Sequence, residues 1–115
     1  MRIFSALLMI SVASTGAAVA GPFEGTWDSS QEACALDMND FRLTISGNTA
    51  NYWESSCDMV QATNLRDMGT SVLYDLQCFG EGDTYSGGRV LFSITSRGQL
   101  LAYNQGHVAL RERCK

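Results

Sequence analysis

Histidine is almost absent from this sequence, since His107 is the only one among 115 residues. A serine or cysteine triad needs a histidine as its base, and His107 is accompanied by neither a G-x-S-x-G element nor a lone reactive cysteine. Its neighbours indicate the start of a strand, which predicts a surface or rim position. A transition-metal site would also lack ligands. The sequence therefore predicts a protein that is not an enzyme and binds no metal or cofactor.

Basic residues are also scarce, with 8 Lys and Arg against 12 Asp and Glu. If the first twenty residues are removed, Arg2 is lost and the net charge becomes −5. Arg111, Arg113 and Lys115 cluster near the C-terminus but are too few to reverse this sign. Because an acidic surface repels phosphate backbones and anionic lipids, we expect no nucleic-acid partner.

Long apolar runs are absent except at the N-terminus. There, residues 3–13 are apolar apart from two serines, and Ala18-Val19-Ala20 is a small-residue pattern that signal peptidases accept. A membrane anchor needs about 18 or more strongly apolar residues, and this run is shorter. We predict a signal peptide over residues 1–20 and a single domain over residues 21–115. The mature domain is expected to be periplasmic or secreted, without stable membrane insertion after cleavage.

No C-x-x-C pair occurs, which argues against thioredoxin-type chemistry and against the close ligand spacing of most zinc sites. The cysteines Cys34, Cys57, Cys78 and Cys114 all follow the predicted cleavage point. An even count in a short exported chain predicts two disulfides. Three pairings are open, and Cys34–Cys57 with Cys78–Cys114 is favoured because each bridge would join neighbouring parts of a meandering sheet.

Proline is limited to Pro22, so no proline interrupts the strand-like segments of the remaining chain. The alternation of Phe41, Leu43 and Ile45 with polar neighbours is typical of a strand, and Gly47-Asn48 suits a tight hairpin. The predicted strands cover residues 23–28, 41–46, 49–55, 58–65, 72–78, 85–95, 99–104 and 107–114, with a loop or short helical turn over 29–40. We predict an all-β fold, an antiparallel meander of seven or eight strands that forms a small barrel or a strongly curled sheet.

Acidic and aromatic residues offer weaker candidates. Residues 37–40 begin like a calcium loop, but Phe41 and Arg42 stand where an oxygen ligand and a glycine are required. Glu81-Gly82-Asp83 fits a solvated hairpin end, and Glu54 fits an outward-facing strand position. The aromatic side chains are expected to fill the barrel, with a lined ligand cavity as the alternative; they are Trp27, Tyr52, Trp53, Tyr74, Phe79, Tyr85, Phe92 and Tyr103.

Gly25-Thr26-Trp27, on the first predicted strand, resembles the G-x-W motif of lipocalin-type barrels. In that family the Trp plugs the base of the barrel against a basic side chain. The resemblance implies that Trp27 is the barrel plug and that Arg111 or Arg113, on the last strand, is its basic partner. The resemblance supports barrel architecture more than ligand binding, and an eight-stranded barrel has room for one small ligand at most.

Three segments of the C-terminal half are similar in order to small exported β-barrels that inhibit C-type lysozyme. They are Tyr74–Cys78, Ser86–Arg89, and Gly106–Leu110 followed by Cys114. In that family a Ser-Gly-x-Lys/Arg-Tyr segment and a Lys-Gly turn enter the cleft of the enzyme. The sequence departs from this pattern at Val90 and at Gln105. The resemblance implies a partner-binding surface made of Ser86, Gly87, Gly88, Arg89, Gln105 and Gly106.

The Gly87-Gly88 pair also stands out without any resemblance, because two glycines inside a strand favour a bulge or bend. Together these patterns predict a non-catalytic periplasmic binding protein whose partner is a protein of the cell envelope. An inhibitor of a hydrolase, either of the lysozyme type or a protease, is the first hypothesis. The alternative is a lipocalin-like barrel that binds a small apolar ligand.

Overall fold

The computed structural model describes residues 21–115, and the predicted signal peptide lies outside the described residues. Within the described range, alternating apolar residues and glycine-rich turns give strands joined by short connections. No helix in this range is long and apolar enough to cross a membrane. The elements are β1 (Gly25–Asp28), α1 (Gln31–Cys34), β2 (Leu43–Ser46), β3 (Thr49–Tyr52), β4 (Ser55–Asn64), β5 (Val72–Gly80), β6 (Asp83–Ile94), β7 (Leu100–Asn104) and β8 (His107–Arg113).

The eight strands form a closed antiparallel barrel, which confirms the predicted fold class. Each strand pairs with the next, and β1 closes the barrel by pairing with β8 at Trp27↔Arg113. Because the strands run up and down in turn, connections alternate between two ends. The turns at residues 53–54, 81–82 and 105–106 lie at one end, which we call the mouth; the opposite end is the closed end.

Apolar side chains fill the closed end. The indole of Trp27 is fully buried, and its Nε1 donates a hydrogen bond of 2.8 Å to the carbonyl oxygen of Phe23. The rings of Phe23, Tyr74 and Phe92 pack on one another with centroids 5.7–6.4 Å apart. Leu43 and Leu100 are fully buried in the same core. The segment that precedes β1 therefore seals this end of the barrel.

The predicted disulfide pairing is wrong: the bridges are Cys34–Cys114 and Cys57–Cys78. Cys57 and Cys78 face each other directly across the β4–β5 pair. Cys34 follows β1 and Cys114 follows β8, and these strands are neighbours only because the barrel closes. The favoured pairing assumed that bridges follow chain order, whereas closure brings the two ends of the chain together.

The connection between β1 and β2 is held by a buried ion pair. Asp28 has no exposed surface and accepts hydrogen bonds from Arg42 Nε at 3.0 Å and from Asn39 Nδ2 at 2.7 Å. The terminal nitrogens of Arg42 donate to the carbonyl groups of Ala33, Cys34, Leu36 and Asp37. Arg42 therefore donates hydrogen bonds to the carbonyl groups at the end of α1 and just after it. This role explains why β2 begins at Leu43 and not at Phe41 as predicted.

Candidate functional site

A cavity of about 320 Å³ opens at the mouth of the barrel, and we call it the mouth cavity. Small and apolar side chains form most of its wall, including Leu76, Val90, Ala102 and Ala109. The Cys57–Cys78 bridge contributes a further apolar surface. Ser55, Tyr85, Asn104 and His107 also line it. The aromatic side chains therefore divide, since Tyr52 and Tyr85 line the cavity while Trp27 and Phe92 fill the core.

Strand β8 places one charged side chain, that of Arg111, in the wall of this cavity. His107, Ala109 and Arg111 share the inward face, because side chains of a strand point to opposite sides in turn. His107 follows the turn at the mouth and is exposed, whereas Arg111 lies four residues further in and retains only 7% of its exposure. Arg111 therefore lies deep in the cavity.

Two contacts hold the Arg111 side chain. Its Nε donates a hydrogen bond of 2.8 Å to the Phe41 carbonyl oxygen, and its guanidinium carbon lies 4.2 Å from the centroid of the Phe41 ring. Within residues 21–115, no carboxylate lies within ion-pair distance of Arg111, and its two terminal nitrogens donate to no protein group. No buried side-chain nitrogen or oxygen in this range lacks a partner. The terminal nitrogens are therefore not sealed in protein and face open space.

Tyr52 lies beside Arg111 in the cavity wall and is half-buried. Burial raises the pKa of the Tyr52 phenol, and the charge of Arg111 offsets part of this rise. Burial lowers the pKa of the Arg111 guanidinium, and the electrostatic influence of Tyr52 and then Asp28 opposes that change. At neutral pH the pair therefore consists of a protonated phenol and a guanidinium cation, both of them hydrogen-bond donors.

The predicted partner-binding residues meet at the rim of the mouth cavity. Gly88 and Gln105 adjoin closely, since a Cβ on Gly88 would lie 2.7 Å from Gln105 Nε2. Asn104 Nδ2 donates to the carbonyl oxygens of Gly87 and Arg89 at 3.1 and 2.9 Å. Ser86, Arg89, Gln105 and Gly106 are exposed. The two predicted segments thus form one continuous rim, although only Gly87 reaches the cavity itself.

The register of strand β6 shifts at the glycine pair, which confirms the predicted bulge. Leu76 pairs with Gly88 and Gln77 pairs with Ser86, so Gly87 is the extra residue. A Cβ on Gly87 would lie 2.7 Å from Cys78 Sγ. Gly87 therefore allows strand β6 to pass close to the disulfide in the cavity wall.

The two arginines of β8 have different partners. The guanidinium carbon of Arg113 lies 4.1 Å from the centroid of the Trp27 ring, and Arg113 also donates to the carbonyl oxygens of Glu24 and Pro22. Trp27 therefore lies in the closed-end core with Arg113 across its ring. Arg111 instead contacts Phe41.

The remaining candidates do not join the mouth cavity. Glu54 is exposed and lies in the turn between β3 and β4, not within a strand as predicted. Glu54, Glu81 and Asp83 line a neighbouring depression, which shares Ser55 and Tyr85 with the mouth cavity. No group of three or more His, Cys, Asp or Glu residues suitable for a metal ion occurs within residues 21–115.

The sequence does not single out Arg111 or Tyr52 as cavity residues. It places Arg111 in a C-terminal basic cluster and offers it as a partner of Trp27, and it includes Tyr52 among eight aromatics that fill the barrel or, alternatively, line a cavity. The alternation of β8 places Ala109 and Arg111 on one face, which is the only part of this arrangement that the sequence carries. Comparison with protein-family models, with curated proteins and with solved structures returns no match.

Proposed function

We propose that this protein is a non-catalytic binding protein of the periplasm or the secreted space that holds a small ligand in the mouth cavity. The observation that carries this proposal is the open cavity of about 320 Å³ inside the barrel. Ligand pockets in proteins begin at roughly 300 Å³ and combine an apolar lining with a few placed polar groups. The mouth cavity has this composition, with Arg111 and Tyr52 as the polar groups at its wall.

The architecture favours a preformed site over one that folds around its ligand. The wall consists of strands in a closed barrel, and the Cys57–Cys78 bridge joins two of those strands at the cavity surface. A preformed wall reduces the ordering cost of binding. The two disulfides fit an oxidising compartment, in keeping with the predicted export.

Two neighbouring residues of β8 give a test of the cavity with a matched control. Ala109 lines the cavity and Val108 points outward with 62% exposure. Ala109→Phe should fill the cavity and abolish binding, whereas Val108→Phe adds an aromatic ring to the outer face and should leave binding unchanged. Isothermal titration calorimetry with octanoate and with octanol should give one site per chain for at least one of them.

If neither probe binds the wild type, the proposal is wrong. It is also wrong if both variants bind as the wild type does, because the site would then lie elsewhere. Thermal unfolding of each variant checks that the barrel has formed.

The rim supports a second candidate function, inhibition of a hydrolase. The observation that favours it is the contact between the Gly88 bulge and the Gln105-Gly106 turn, which builds one exposed ridge. Asn104 ties this ridge down through two hydrogen bonds. A rigid ridge loses little conformational entropy when it enters an enzyme cleft.

Activity assays of C-type lysozyme and of proteases with a micromolar excess of the protein test this candidate. Inhibition should be lost in the Arg89→Ala, Gln105→Ala double variant and retained in Ala109→Phe, which leaves the rim intact. Full enzyme activity in the presence of the wild-type protein contradicts it.

A further inference from the structure

We infer that the ligand of the mouth cavity is a monocarboxylate with a short apolar body, held through its carboxylate by Arg111 with Tyr52 beside it. This inference rests on the proposed function and adds the chemical class of the ligand.

The first step is the charge of Arg111, which has no counter-ion of its own. A buried cation is costly unless it is paired, and Arg42, whose carboxylate partner is fully buried, is paired, as is the more exposed Arg89. Arg42 binds Asp28, and Arg89 binds Asp75, each at 3.0 Å. Arg111 is 7% exposed and has no carboxylate partner within residues 21–115. The site is therefore electrostatically complementary to an anion that enters from outside.

The second step is the shape of the donor group. The carbonyl oxygen of Phe41 accepts the hydrogen bond from Arg111 Nε. The two terminal nitrogens of Arg111 remain available as donors to a ligand. A guanidinium presents its donors as a planar fork, and a carboxylate accepts two parallel hydrogen bonds from it. The Phe41 ring fixes the plane of that fork from one side. The hydroxyl of Tyr52 adds a neutral donor on the same wall.

The third step is the charge of the ligand. Arg111 is the only Lys or Arg among the residues that line the cavity, so one negative charge is matched there. A phosphate monoester carries about 1.5 to 2 negative charges at neutral pH and presents three strong acceptor oxygens. Glu54, Glu81 and Asp83 lie just outside the rim and further disfavour a dianion. A monocarboxylate fits this balance better than a phosphate does.

The fourth step is the rest of the ligand. Beyond Arg111 and Tyr52, the wall towards the mouth is formed by Leu76, Val90, Ala102 and the Cys57–Cys78 bridge. These groups offer dispersion contacts and few hydrogen bonds, so they suit a hydrocarbon chain or ring. Asn104 and His107, nearer the turn, suit a ligand end that remains in contact with water.

Matched pairs of acid and alcohol test the inference without any variant. Calorimetric titration of the wild-type protein compares octanoate with octanol and benzoate with benzyl alcohol. A charged hydrogen-bonded pair predicts that each acid binds about 10- to 100-fold more tightly than its alcohol. Inorganic phosphate should bind more weakly than either acid. Equal affinity for acid and alcohol overturns the inference while the proposed function stands.

Variants then assign the effect to the two residues. Arg111→Met keeps most of the side-chain volume and should remove the preference for the acid while octanol binding persists. Arg111→Lys keeps the charge but loses the fork, and should retain only part of the preference. Arg97→Met removes an exposed arginine in the connection between β6 and β7, at the end of the barrel opposite the mouth, and should leave the binding of octanoate and of octanol unchanged. A preference that survives Arg111→Met overturns the inference, whereas failure of all four probes to bind the wild type overturns the proposed function as well.

Discussion

Asp28 and Asp75 each accept a hydrogen bond from an arginine Nε at 3.0 Å, but their surroundings differ. The Asp28 carboxylate has no exposed surface, whereas Asp75 retains 39% of its exposure and its partner Arg89 retains 64%. Desolvation makes an unpaired buried charge far more costly than an exposed one. The distance from nitrogen to oxygen is the same in the two ion pairs, but the Asp28 pair is buried and its Arg42 also donates to backbone carbonyl groups after α1.

We expect Arg42→Met to lower the free energy of unfolding by about 3–5 kcal/mol, because Asp28 would stay buried without its cation. Arg89→Met breaks the exposed pair and should cost at most about 1 kcal/mol. Urea unfolding of both variants measures the difference. Similar losses in the two variants would contradict the burial argument.

Arg111 illustrates how far single residues can be read from sequence. The period of two along β8 places Ala109 and Arg111 on one face, and this much follows from the pattern alone. That the face is inward and that the space beside Ala109 is unfilled depends on the closure of the barrel. The charged site could therefore not be located from the sequence alone, because an arginine on the outer face of a strand gives the same alternating pattern.

At the scale of single elements, the bulge in β6 shapes the cavity wall. Gly87 is the extra residue, and a Cβ at this position would lie 2.7 Å from Cys78 Sγ and 2.9 Å from Leu76 Cβ. Both of those neighbours are buried in the core. The close approach leaves no room for a side chain.

Gly87→Ala should therefore lower the free energy of unfolding by about 1–3 kcal/mol through overpacking. It should also weaken octanoate binding, because strand β6 must move at the cavity wall. Ser86→Ala, at the neighbouring exposed position, should stay within about 0.5 kcal/mol of the wild type. Chemical denaturation and calorimetry measure the two effects. A Gly87→Ala variant as stable as Ser86→Ala would show that the wall adapts without cost.

Strands were predicted well where alternation is clean and less well where side chains bind locally. The pattern of Val72, Tyr74 and Leu76 gave β5 correctly, and the short helical turn around Cys34 is present as α1. Phe41 and Arg42 were assigned to a strand because their pattern continues that of Leu43. In the structure, Arg42 binds the carbonyl groups after α1, a contact that residue type and spacing do not reveal.

At the scale of the whole molecule, the pairing of β1 with β8 brings Cys34 and Cys114 together, whereas Cys57 and Cys78 meet across the β4–β5 pair. Cys34–Cys114 spans 80 residues and ties the two ends of the chain, whereas Cys57–Cys78 spans 21 residues. Chain entropy gives the longer loop a stabilisation of about 4.5 kcal/mol and the shorter one about 3.4 kcal/mol. Sequence alone leaves the pairing open, because the proximity of Cys34 and Cys114 depends on closure of the barrel.

A non-reduced digest analysed by mass spectrometry should yield peptides linked as Cys34–Cys114 and Cys57–Cys78. Reduction should unfold the domain or nearly so, because each bridge alone is comparable with the roughly 3–5 kcal/mol that a small core supplies. Circular dichroism with and without reductant follows this loss. Peptides linking Cys34 to Cys57 would contradict the closed barrel, as would a reduced chain that keeps its melting temperature.

The most direct measurement of the central claim is an NMR titration of the ¹⁵N-labelled mature domain with octanoate. Binding in the mouth cavity predicts saturable amide shifts at Ala109 and Arg111 and at the cavity-lining residues of β3 and β6. The amide of Leu43, in the closed end, should change little. The account would be contradicted if the amide signals of the cavity residues did not move at saturating octanoate. It would also be contradicted if the shifts were confined to the outer face at Tyr103 and Val108.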